Sequence, residues 1–219
     1  MTSDPDTLPS GRPAGILIVT AAVVSVAFMA HHPHGHGHTP AEFFASTVHG
    51  ATLNGVVHGT LIACMAAFVG GFSVFTARLG PHSLMARLGF VAYALGAFVA
   101  SLAALTGGFV VPAIAQHYVG RSEADQAVAM TVVSAFGLAQ HVAAQAWVLA
   151  TSVALVAWSV DLLGRARLTG ALGLAVGGAS AAALLSGHLP MNVHGVLGFV
   201  VGQALWSLAV ATLLIRGRV

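Results

Sequence analysis

Charge is what this chain has least of. Only 6% of its 219 residues are Asp, Glu, Lys or Arg, lysine is missing altogether, and eight arginines against six acids leave a net charge of +2. Charges this sparse cannot form a footprint for a polyanion, so no nucleic-acid partner is expected. Polar surface is also lacking: at 57% apolar residues a soluble fold of this size could not cover itself, which makes the lipid bilayer the expected solvent and partner. Cysteine occurs once, as Cys64, which cannot form an internal disulfide and whose apolar surroundings suit packing. Strand-like alternation is absent, which disfavours an outer-membrane barrel. The chain has no G-x-S-x-G turn, H-E-x-x-H helix, P-loop or Rossmann fingerprint, so the common hydrolase and nucleotide chemistries have no support and no catalytic residue is legible. Without a C-x-x-C-H motif, any haem would be held noncovalently.

What the chain does have is long apolar runs. A span needs roughly 20 apolar residues, and six stretches qualify, at about 14–30, 52–76, 88–111, 128–160, 168–187 and 193–215. The expected fold is all-α: a polytopic integral membrane protein built as one six-helix transmembrane bundle over 14–219, preceded by a tail at 1–13. The first stretch resembles a signal peptide in length, but Phe28-Met29-Ala30 is a poor cleavage site, so it reads as a retained anchor. The fourth exceeds the hydrocarbon thickness, and counting back from Asp161 assigns an outer extension to its start, from about 123. Small-residue stretches such as 173–183 suit close helix packing in lipid.

Arginines fall at Arg12, Arg78, Arg87, Arg165, Arg167, Arg216 and Arg218, in connections that alternate topology assigns to one side. The positive-inside rule then predicts cytoplasmic N and C termini and a bacterial-type inner membrane. Glu42, Glu123 and Asp125 fall on the opposite side, with Arg121 the one exception. No Asp or Glu is expected in mid-membrane, where ion pathways usually carry one, which disfavours a simple permease.

Twelve histidines are present and only His82 falls in a cytoplasmic connection. His31, His32, His34, His36, His38 and His49 lie in the outer loop at 31–50, a histidine-dense stretch of the kind that gathers metal weakly. Counting from Arg78 to His58, Asp161 to His141, Arg216 to His194 and Arg167 to His188 gives 20, 20, 22 and 21 residues. Each count is about 30 Å at a helical rise of about 1.5 Å, so four histidines are expected at one level near the outer interface. Polar residues favour interfaces without ligating anything, which accounts for the depth but not for the sidedness.

Imidazoles converging from separate helices suit Zn, Cu or Fe. The expected metal site is therefore His58, His141 and His194, with His188 as a fourth candidate, and Asn54 and Gln145, each four residues from a histidine, as orienting groups. Met65 and Met191 are candidate soft ligands for copper, although methionine in lipid more often packs. The leading expectation is an inner-membrane protein binding a transition metal at its outer, periplasmic face, for metal handling or metal-dependent redox chemistry, with the 31–38 tract feeding the site. A periplasmic donor of metal or of electrons is its expected soluble partner. Two alternatives stay open: a b-type cytochrome in which two of His58, His141 and His194 hold haem b, and a cofactor-free membrane assembly subunit. Whether the chain is an enzyme is not legible.

Overall fold

A computed structural model describes residues 10–32, 37–80 and 82–219, with the backbone alone at Val193 and His194. His34 and His36 of the outer tract thus lie outside the described residues. The helices are α1 (Gly11–Ala30), α2 (Pro40–His49), α3 (Ala51–Leu79), α4 (Leu84–Leu105), α5 (Val111–Tyr118), α6 (Glu123–Leu163), α7 (Arg167–Leu185) and α8 (Val193–Ile215). A π-helical turn, Thr106–Val110, joins α4 to α5 without a break. Six helical stretches are long and apolar enough to cross a membrane: α1, α3, the α4–α5 rod (Leu84–Tyr118), α6, α7 and Gly195–Ile215 of α8.

Apolar runs take this form because a helix satisfies its own backbone polar groups where no water can. The helix starts are marked by side chains that accept otherwise unpartnered N–H groups. Ser83 accepts from Ala86, Ser122 from Asp125 and Asn192 from Gly195, while Thr39 and Glu42 form a reciprocal capping box at α2. After α3 the chain turns at Gly80, whose φ of +147° is disfavoured for any residue with a Cβ.

The spanning helices form a ring in the order α8, α1, α3, α4, α6, α7, closed by a lighter contact between α7 and α8. Chain neighbours are thus spatial neighbours, as short connections dictate. Gly170, Gly173 and Gly177 form one face of α7 against α6; a Cβ at Gly177 would stand 2.8 Å from the Ser152 carbonyl oxygen. That is the close small-residue packing expected of this stretch.

One face of the ring gathers every arginine but Arg121, together with both ends of the described chain. Arg78 donates to the Val219 carbonyl at 3.2 Å, Arg165 donates to the Arg78 carbonyl at 3.4 Å, and Ser83 donates to Asp161. Inward from this face the ring is plugged by aromatics. Phe72 lies 4.8 Å from Tyr93, 5.0 Å from Trp158 and 5.8 Å from Trp206, ring centre to ring centre, and the two indoles stack at 5.7 Å. All four are fully buried.

At the opposite face the helices outrun the ring. α6 is one helix of 41 residues, about 61 Å long at the helical rise, so the predicted extension from about 123 belongs to the spanning helix itself. Its projecting start packs with α2 and α5 around Phe44, Ala115, Ala129 and Val133, a second small core. The third span continues past the predicted end at 111 to Tyr118, and α2 is a helix inside the predicted outer loop at 31–50.

Candidate functional site

The half of the ring away from the arginines encloses a cavity of about 350 Å³, lined from every spanning helix except α7. Its floor meets the aromatic plug at Phe68 and at Gln203, whose amide donates to the Tyr93 hydroxyl at 2.9 Å. Apolar residues, among them five alanines, make up most of its walls. His32, His58 and His141 line it, together with Met29, Met65, Met191, Gln140 and Asn192.

His58 is buried and fixed from three directions. Its Nδ1 donates to the Asn54 main-chain carbonyl one turn earlier, at 2.9 Å. A carbonyl can only accept, so the proton sits on Nδ1 and Nε2 carries the lone pair. That Nε2 faces His32 Nε2 at 3.2 Å, with the two rings edge to face, 4.7 Å between centroids. His32 reaches this place from the end of α1, where its own N–H donates to the Met29 carbonyl.

The third support comes from the π turn. A Cβ at Gly108 would stand 2.7 Å from His58 Cγ, so the ring needs a glycine there, and a Cβ at Gly107 would collide with the Gln140 side-chain amide. In a π turn the N–H of residue i bonds the carbonyl of residue i−5, as Val111 does with Thr106. The next such donor would be residue 112, and Pro112 has no N–H. The orphaned Gly107 carbonyl is taken instead by the Asn54 side-chain amide at 2.9 Å, and the Gln140 amide donates to the Ala103 carbonyl at 3.0 Å. Proline, two glycines and two amides thus form one unit around His58.

The predicted residues divide. His58 and His141 come to the same cavity. Gln145 donates to His141 Nε2 at 3.2 Å, the expected pairing, whereas Asn54 holds His58 through its main-chain carbonyl and spends its amide on the π turn. His188 is exposed, accepts or donates at Ser186 Oγ, 2.9 Å away, and does not line the cavity. His194 is the second residue of α8, and its side chain lies outside the described residues. In the outer tract, His31 turns back to the Ala27 carbonyl at 2.9 Å, the His38 N–H caps onto Glu42 at 2.7 Å, and His49 is exposed at the end of α2. Among the described residues no group of three or more His, Cys, Asp or Glu side chains stands ready to hold a metal ion.

Met29, Gln140 and Gly107 were not singled out by sequence reasoning, and His32 was named only among the loop histidines that gather metal. The signal available was Pro112 four residues after Gly108 inside an apolar run, where a helix must either end or find another donor. No known protein family, curated protein or solved structure matches this chain.

Proposed function

We propose that this chain is an integral membrane protein of the bacterial inner membrane that binds a transition-metal ion through His32 and His58 at the mouth of its cavity. The observation that carries this is the 3.2 Å between two Nε2 atoms, one of them with its tautomer set by a carbonyl behind it. Metal-bound imidazoles commonly carry a second hydrogen bond of this kind from the far nitrogen. On metal–nitrogen bonds of about 2.0–2.1 Å, two nitrogens this far apart subtend about 100° at an ion, between octahedral and tetrahedral values. The axial imidazoles of a haem stand on opposite sides of the iron, about 4 Å apart on bonds of that length, so this pair favours a bare ion over haem b. His141 lines the same cavity without grouping with the pair, which leaves His194 as the further candidate ligand, and the arginines support a cavity that opens to the periplasm. The protein's role is then metal handling at the outer face, with the remaining loop histidines gathering the ion.

The test is elemental analysis and a visible spectrum of detergent-purified protein made without a histidine tag. Stoichiometric metal without a Soret band is expected, and His32→Ala or His58→Ala should cut occupancy by about tenfold or more, the scale that loss of a supporting group alone can reach. A folded protein that holds no metal under replete conditions would reduce the pair to a hydrogen bond between two histidines. A Soret band would replace the ion with haem.

A further inference from the structure

The cavity's remaining donors point to one metal. We infer that the ion is copper in its monovalent state, held by His32 and His58 and completed by thioether sulfur from Met29, Met65 or Met191. This rests on the reading of the histidine pair as a metal site.

Three observations carry it. First, an angle of about 100° at the ion leaves coordination positions open, and the described residues supply no third His, Cys, Asp or Glu grouped with the pair. Second, three of the chain's six methionines line this one cavity. Met29 precedes His32 by three residues at the end of α1. Met65 follows His58 by seven residues, two turns deeper on the same side of α3, and both are buried. Met191 enters from the connection ahead of α8. Imidazole with thioether is a soft set that selects Cu(I), whereas Mn, Fe(II) and Zn sites draw on imidazole, carboxylate and thiolate.

Third, among the described residues the lining contains no carboxylate. An ion in this apolar wall has no counter-charge, and the solvation cost of burying it rises with the square of its charge, so a divalent ion costs about four times a monovalent one. Zn(II) and Fe(II) therefore suit the cavity least.

The test titrates the full-length, untagged protein anaerobically with Cu(I) against a chromogenic Cu(I) chelator, and separately with Zn(II) against a zinc dye. X-ray absorption at the copper edge reads the ligand atoms. The variants are Met29→Leu, Met65→Leu and Met191→Leu, near-isosteric changes that keep the packing, alongside the double variant His32→Ala/His58→Ala. Cu(I) is expected to bind at least about a hundredfold tighter than Zn(II), with a sulfur scatterer, and at least one leucine variant should lose about tenfold in Cu(I) affinity without changing Zn(II) affinity. If Zn(II) binds as tightly, copper is the wrong metal, and if all three leucine variants keep wild-type Cu(I) affinity, the thioether ligation falls; in either case the histidine site stands. If neither metal binds, or if the double-histidine variant binds as well as the wild type, the histidine site itself falls.

Discussion

At the scale of single residues, the site depends on where a proton sits and on where a methyl group is missing. The Asn54 carbonyl holds the proton of His58 on Nδ1, and Gly108 makes room for the imidazole. Gly108→Ala would force a Cβ onto the ring, and overpacking of this kind costs about 1–3 kcal/mol. The expected outcome is a lowered thermal midpoint in detergent together with reduced metal occupancy. Gly137 lines the same cavity with nothing within 4 Å of a Cβ position, so Gly137→Ala should raise stability by about 0.5–1 kcal/mol, as alanine does in a helix interior, and leave occupancy unchanged. Equal damage from both substitutions would show that the cavity wall is generally intolerant and that His58 has no special claim on Gly108.

At the scale of elements, the informative feature is a rod that ought to stop and does not. Proline inside a helix usually ends it, because a carbonyl loses its donor. Here the π turn shifts the vacancy to Gly107, and Asn54 on the neighbouring helix fills it. Asn54→Ala would leave that part-buried carbonyl unmet, at a cost of about 1 kcal/mol, the low end for an unsatisfied group. Pro112→Ala would restore an N–H to the same carbonyl, so on the Asn54→Ala background it should recover part of the loss. A double-mutant cycle by thermal unfolding checks this, and strictly additive effects would sink it. Sequence reasoning ended the span at 111, one residue before this proline. Position 112 shows why: the compensating donor lies 58 residues earlier in the chain, on another helix.

At the scale of the whole molecule, the ring is plugged by aromatics toward one end and hollow toward the other. The plug, centred on Phe72 between Tyr93, Trp158 and Trp206, lies toward the arginines, and the histidines stand at the opposite end. With the arginine face cytoplasmic, reporters fused to the two termini should both read as cytoplasmic in a bacterial host. A periplasmic signal from both would turn the mouth of the cavity toward the cytoplasm and reverse the direction from which an ion arrives.

Six spans were legible because a span depends on local composition and a fixed helical rise, and the same counting singled out His58 and His141, which line one cavity. Apolar runs of this length have one way to satisfy their backbone in lipid, and counting from an arginine gives depth without knowledge of neighbours. The partnership of His58 with His32 was not legible. His32 sits in a histidine-rich tract that reads as a loop, and nothing in its neighbourhood distinguishes it from His31 or His34. Tertiary structure singled it out because the end of α1 lies beside α3 in the ring, so one histidine of the tract reaches the cavity while His31 turns back along its own helix. Depth along an axis is a one-dimensional property that the amino-acid order carries; the direction a side chain faces across the ring depends on helix rotation and contact, which the packed bundle alone decides.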